Sequence, residues 1–99
     1  MDSNDANTIY VDFEKLQFPL ELRTWKNGDY FYPKGMKGKK KISKFFKDEK
    51  MSFTEKEKAL LLCSDAQVVW VVGRRQDARF LASKTDALMY KISLQYATD

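Results

Sequence analysis

The residues best suited to chemistry are concentrated in one basic segment, residues 34–50. This segment holds eight lysines and two acids, a net charge of +6, whereas residues 1–33 carry −3 and residues 51–99 carry +1. A lysine placed on a phosphate releases condensed counterions, so such a segment could bind a polyanion. The alternative is a solvated loop whose lysines only aid solubility.

Arginines form a second basic set near the ends of predicted strands: Arg23, Arg74, Arg75 and Arg79. The planar guanidinium suits bidentate contact with either phosphate or carboxylate. These side chains could therefore contact an anionic partner or pair internally with Asp29, Asp77 or Asp86.

Aromatic residues just before the basic segment could stack on nucleobases: Trp25, Tyr30 and Tyr32. Stacking on aromatic side chains is a common mode of RNA recognition. Packing in the core or at its edge is the alternative. Trp70 lies inside an apolar run and is predicted to be in the core.

The composition removes several kinds of catalytic and metal site. The chain has no histidine and one cysteine, which excludes a four-ligand zinc site and both Ser-His-Asp and Cys-His catalysis. Neither the P-loop pattern nor the dinucleotide Gly-x-Gly-x-x-Gly pattern is present. We therefore interpret the chain as a binding module without catalytic or metal-ligating residues, and expect Cys63 to be a buried small hydrophobe.

The apolar pattern predicts short strands at residues 9–13, 20–25, 30–32, 67–72, 79–82 and 88–96. Ile42, Phe45 and Phe46 form one apolar stripe and predict a helix to about Lys47. A second helix is expected from Thr54, with Glu57 at capping-box spacing.

These elements predict one α+β domain of several mostly antiparallel strands and two short helices, spanning residues 9–99. Residues 1–8 are polar and are expected to be a disordered lead-in. No apolar run approaches the roughly 20 residues of a membrane helix, and the polar N-terminus is no secretory signal. We expect a cytoplasmic protein with no membrane partner.

An ordered series of residues carries a family resemblance. The first part is Phe18-Pro19-Leu20-x-Leu22-Arg23-x-Trp25-x-x-Gly28-Asp29-x-Phe31-x-Pro33-x-Gly35-Met36, followed by Gly38-x-Lys40-Lys41-x-Ser43-x-Phe45-Phe46. The second part is Val69-Trp70-Val71-x-Gly73-x-Arg75-x-Asp77-x-Arg79-Phe80. Over about residues 8–96 the chain resembles the C-terminal domain of tRNA(Ile)-lysidine synthetase.

The resemblance implies a fold shared with a domain of the phenylalanyl-tRNA synthetase β chain. It implies a parent enzyme that uses ATP, with Mg, to attach lysine to the wobble cytidine of tRNA(Ile). That chemistry belongs to an N-terminal PP-loop domain whose Ser-Gly-Gly-x-Asp-Ser motif is absent here, so no cofactor is expected in this chain. The implied partners are the body or acceptor stem of tRNA(Ile) and the parent's own PP-loop domain. A homodimer is a further possible partner under the second hypothesis given below.

Lys40, Lys41 and Arg75 match motif positions of this family, whereas Lys37, Lys39 and Lys44 are chosen on charge. The full set of candidate RNA contacts is Lys37, Lys39, Lys40, Lys41, Lys44, Arg23, Arg74 and Arg75. A scaffold or dimerisation module, whose basic loop docks on an acidic surface of its own enzyme, is the second hypothesis.

Overall fold

The structure is a computed structural model that describes residues 6–83 and 88–96. The strands are β1 (Thr8–Asp12), β2 (Leu20–Thr24), β3 (Tyr30–Phe31), β4 (Lys40–Lys41), β5 (Leu60–Ser64), β6 (Gln67–Val71), β7 (Arg75–Gln76) and β8 (Met89–Ser93). The helices are α1 (Ile42–Asp48) and α2 (Phe53–Lys58), and 3-10 turns cover Phe13–Lys15 and Ala78–Phe80.

The strands pair in three antiparallel groups. A four-stranded sheet has the order β2-β5-β6-β7, β1 pairs with β8, and β3 pairs with β4. The two helices lie in sequence between β4 and β5. The predicted class, a small domain of antiparallel strands with two short helices, is confirmed.

Two apolar clusters lie on opposite faces of the four-stranded sheet. The first contains the apolar stripe of α1 and the residues Leu61, Cys63 and Val71 from the sheet. The second joins Val69 and Trp70 to Ile9 and Val11 of β1. The irregular register between β5 and β6, where Leu62 faces Trp70 and Cys63 faces Val68, leaves Val69 as an extra residue in β6.

The core residues singled out in the sequence lie where they were expected. Trp70 is 2% exposed and Cys63 is 1% exposed. Burial raises the pKa of the Cys63 thiol, which keeps it protonated at neutral pH. The thiol therefore serves as a small apolar group in the core.

Three local predictions differ from the structure. Strand β1 begins at Thr8, inside the predicted lead-in, whose residues 1–5 lie outside the described part of the chain. Helix α2 begins at Phe53, because Ser52 accepts from the Glu55 amide while the Glu55 carboxylate accepts from the Ser52 amide. The first part of the predicted strand at 79–82 belongs to the 3-10 turn Ala78–Phe80, because the Asp77 carboxylate caps it through the Arg79 amide at 2.7 Å. Leu81 forms an isolated antiparallel bridge with Val11.

One group of aromatic rings remains at the surface on the side of β1 and β8. Phe13, Phe18 and Tyr90 are 36%, 56% and 42% exposed. Their ring centroids lie 5.1, 5.8 and 6.4 Å apart in the three pairs. We call these three residues the exposed aromatic cluster.

Candidate nucleic-acid interface

The basic segment begins in the loop at residues 32–39, which joins β3 to β4 and is called here the β3–β4 loop. Phe31 of β3 is fully buried and packs edge-on against Phe45 of α1, with ring centroids 5.1 Å apart. Gly35 and Gly38 have φ of +83° and +76°, a left-handed backbone that side chains disfavour. The buried strand thus fixes the base of the loop, and the glycines turn its tip.

Backbone hydrogen bonds fasten this loop to the region of β7. The Lys34 amide donates to the Gln76 carbonyl at 2.8 Å, and the Ala78 amide donates to the Tyr32 carbonyl at 2.7 Å. The Arg75 guanidinium donates to the Lys34 carbonyl at 3.1 Å. The start of the loop is therefore an ordered extension of the sheet.

Asp77 is the buried centre of this attachment. Its side chain is fully buried and accepts the Tyr32 amide at 2.9 Å. It also accepts the Arg79 amide at 2.7 Å and two guanidinium N–H groups of Arg79 at 3.0 and 2.9 Å. The hydrogen bonds to Asp77 raise the pKa of Arg79, which stays charged and fixed in orientation.

Lysines project from the β3–β4 loop, from β4 and from the start of α1. The exposed set consists of Lys34, Lys37, Lys39, Lys41 and Lys44. Lys44 lies 4.0 Å from Asp48. Among residues 6–83 and 88–96, no carboxylate lies within 4.0 Å of the ammonium groups of the first four. Their charge is thus available to an anionic partner.

Other predicted contacts are engaged in interactions within the domain. Lys40, with its side chain 14% exposed, pairs with Asp48. Arg74 contacts Glu55 at 3.1 Å. Arg75 is held to the loop backbone, and its guanidinium lies 5.8 Å from the ring centroid of Phe45. As RNA contacts these residues remain predictions.

Arg23 pairs with Asp29 in a two-point contact, with N–O distances of 2.8 and 3.0 Å. The Asp29 carboxylate also accepts the Lys26 amide at 2.7 Å, and its carbonyl accepts the amide of Ile42 at 2.9 Å. The internal pairing considered for Arg23 is therefore present, and it ties β2 to the turn that precedes β3. The same holds for Arg79 with Asp77, whereas Asp86 lies outside the described residues.

Two exposed or half-buried cations near the loop were not among the candidates, namely Lys34 and Arg79. Lys34 is the first residue of the basic segment, so its charge alone was a reason to include it among the candidate RNA contacts. Arg79 belongs to the second basic set of the sequence analysis, and the Asp77-x-Arg79 spacing is that of a capped turn whose side chains meet. Its guanidinium lies 4.4 Å from the ring centroid of Tyr32.

The Arg23–Asp29 pair makes stability depend on pH. Burial raises the pKa of Asp29, but hydrogen bonds from Arg23 and the Lys26 amide outweigh it, so the pKa is lowered. Because its pKa is lower in the folded state, the ionised Asp29 stabilises the fold. This stabilisation is fully present above the unfolded-state pKa of about 3.9 and is lost as the pH falls through the folded-state pKa. We therefore expect the difference in free energy of unfolding between the wild type and Asp29→Asn to shrink between about pH 5 and pH 2.

Urea unfolding at a series of pH values measures this difference. The exposed Asp65 supplies a matched Asp65→Asn control, for which no comparable ion pair is present in the described part of the chain. If the difference in free energy of unfolding between the wild type and Asp29→Asn stayed constant from pH 5 to pH 2, the stabilising role of the Arg23–Asp29 pair would be contradicted.

Comparison with known proteins identifies the family of this chain. Residues 20–94 match the family model described as the TilS substrate C-terminal domain. The chain belongs to this family. The match covers β2 through β8 and so includes the β3–β4 loop and all the candidate contacts.

Relatives of this TilS C-terminal domain are named tRNA(Ile)-lysidine synthase. One from Parabacteroides distasonis is 61% identical over 71 residues, covering 72% of this chain and 16% of the relative. One from Bacteroides thetaiotaomicron is 39% identical over 90 residues, covering 89% of this chain and 21% of the relative. The chain thus spans about a sixth to a fifth of the length of these relatives.

A crystal structure of a TILS C-terminal domain has the same fold. It superposes with a TM-score of 0.77 at 22% identity, covering 97% of this chain and 77% of that one. The family expected from the sequence motifs is therefore confirmed, together with the fold class. Within residues 6–83 and 88–96 of this TilS C-terminal domain, no helix has the length and apolar character needed to cross a bilayer.

Proposed function

We propose that this chain is the tRNA-binding domain of a tRNA(Ile)-lysidine synthase. Its family and the names of its relatives support the parent enzyme. The parent attaches lysine to the wobble cytidine of tRNA(Ile), with ATP and Mg acting in a PP-loop domain outside these 99 residues. This domain holds the tRNA body toward the acceptor stem, in the cytoplasm.

The observation that carries the proposal is the set of exposed lysines on an anchored hairpin. Lys34, Lys37, Lys39 and Lys41 lie within eight consecutive positions and have no carboxylate partner in the described part of the chain. A-form RNA is recognised mainly through its shape, its phosphates and its 2′-hydroxyl groups. Exposed cations on a loop whose base is hydrogen-bonded to the β7 region suit that kind of recognition.

Binding of labelled tRNA(Ile) across a salt series tests this function. If four lysines each contact a phosphate, the logarithm of the affinity should fall with the logarithm of salt concentration with a slope of about −3 to −4. The measurement is fluorescence anisotropy from 50 to 300 mM KCl. Absence of binding, or a slope near zero, would contradict the proposal.

Docking to another part of the parent protein is a second candidate function. The observation that favours it is the exposed aromatic cluster, since adjacent exposed aromatic rings are typical of protein contacts. Sedimentation velocity of this chain, alone and mixed with the rest of the parent polypeptide, tests it. A complex that Phe18→Ser weakens without any loss of RNA affinity would favour docking.

A further inference from the structure

Tyr30 and Tyr32 form an outward-facing aromatic pair at the base of the β3–β4 loop. Phe31 between them is fully buried, so the alternation of an extended chain turns both tyrosines to the opposite side. Tyr30 is 42% exposed, and its ring centroid lies 6.2 Å from that of Tyr32 in an edge-to-face arrangement. The buried neighbour holds both rings in place.

Cations flank both rings of this pair. The Lys39 ammonium lies 4.3 Å from the ring centroid of Tyr30, and the Arg79 guanidinium lies 4.4 Å from that of Tyr32. Arg79 is fixed by its two guanidinium hydrogen bonds to Asp77. Lys41 lies directly opposite Tyr30 in the β3–β4 register. The aromatic surface is therefore continuous with the lysines of the candidate interface.

We propose that Tyr30, Tyr32, Lys39 and Arg79 form a platform that binds an unpaired nucleotide beside the duplex held by the loop lysines. This inference rests on the proposed RNA-binding function. It adds that the domain recognises an unpaired nucleotide, which phosphate contacts alone would not distinguish from a paired one. Paired bases of an A-form helix are stacked inside it, so an exposed tyrosine ring stacks on an unpaired or terminal base. The adjacent cations suit the phosphate of that nucleotide.

The exposed aromatic cluster provides the contrast. Within residues 6–83 and 88–96, no lysine or arginine lies over the rings of Phe13, Phe18 or Tyr90. Rings alone serve apolar contacts equally well, whereas rings interleaved with cations match both the base and the phosphate of a nucleotide. The nucleotide site is therefore assigned to the tyrosine pair.

Three RNA hairpins with the same stem test the platform at fixed ionic strength. One is blunt, one carries a four-nucleotide 3′ extension, and one carries an extension of four abasic nucleotides, which adds phosphates without bases. We expect the base-containing extension to increase affinity by about tenfold over the abasic one, within the range measured for stacking on a single base. Tyr30→Leu should lower the affinity for the base-containing extension to that for the abasic one, and Tyr30→Phe should keep the gain because the ring remains.

Equal affinities for the base-containing and abasic extensions would overturn the platform. So would an equal loss by Tyr30→Leu for all three hairpins, since that indicates a general effect on the loop. In both cases salt-dependent binding to the blunt hairpin would leave the proposed function standing. Absence of salt-dependent binding to every hairpin would contradict the proposed function itself, and the platform with it.

Discussion

Replacing Lys34, Lys37 and Lys41 together with glutamine is expected to lower the affinity for tRNA(Ile) by roughly 100-fold at 0.15 M salt. Each phosphate contact contributes about 0.7 to 0.9 to the salt slope, so three lost contacts should also flatten it by about two to three units. All three side chains are exposed and have no carboxylate partner among the described residues. The fold should therefore remain intact, and anisotropy titrations measure the loss directly.

A charge-matched variant distinguishes the effect of the position of the lysines from the effect of the net charge on affinity. Lys15, Lys58 and Lys91 are exposed on other elements, and replacing them with glutamine removes the same number of charges. Lys15 has one partner, Asp12 at 3.9 Å, and exposed pairs of this kind contribute little to stability. Equal losses of affinity in the two triple variants would show that the position of the lysines does not matter.

Asp77→Ala is expected to reduce the free energy of unfolding by about 3 to 5 kcal/mol. The fully buried carboxylate accepts four hydrogen bonds, and its removal leaves the Tyr32 amide and the Arg79 donors without their acceptor. For a domain of this size the corresponding drop in Tm is about 12 °C or more. Urea unfolding followed by circular dichroism measures the effect.

Asp12 provides the matched control for Asp77. Its carboxylate also caps a 3-10 turn, through the Glu14 amide at 3.0 Å, but it has no buried ion pair. Asp12→Ala should therefore cost about 1 kcal/mol, the typical cost of a lost cap. If Asp77→Ala lowered the free energy of unfolding by no more than Asp12→Ala does, Asp77 would not be the main attachment between the β3–β4 loop and the turn at 78–80.

The local sequence predicted those helices and strands whose conformation is determined by their own residues. The stripe of Ile42, Phe45 and Phe46 indicated α1, and the uninterrupted apolar run of β6 indicated a strand buried on both faces. The start of α2 could not be decided in the same way, because Ser52 with Glu55 and Thr54 with Glu57 offer the same capping spacing. Nothing in the local pattern ranks one of these pairs above the other.

Elements stabilised by distant residues were harder to predict. The turn at 78–80 depends on a buried Asp77 that also accepts the amide of Tyr32, 45 positions away. Sequence patterns indicate neither that burial nor the contact, so a short apolar stretch was interpreted as a strand. The same limitation applies wherever a side chain's partner comes from another element.

The charge of the candidate interface was predictable, but the partners of its lysines were not. Lys40 and Lys41 are adjacent and chemically identical, yet one pairs with Asp48 and the other lies opposite Tyr30. Successive side chains of a strand point to opposite faces, so the two lysines point in opposite directions. Only the pairing of β3 with β4 shows which of them faces inward. The ring–cation contacts of Tyr30 and Tyr32 depend on that same pairing.

Mapping the RNA contacts on the domain tests the central claim most directly. The experiment adds an unlabelled RNA hairpin carrying the acceptor stem of tRNA(Ile) to the ¹⁵N-labelled domain and follows its backbone amides by NMR. We predict that the largest changes fall in residues 34–41 and 74–79, which contain the loop lysines and the neighbouring Arg74, Arg75 and Arg79. Largest changes around Phe13, Phe18 and Tyr90 instead, or no change at any amide, would contradict the claim that this domain binds tRNA through its basic loop.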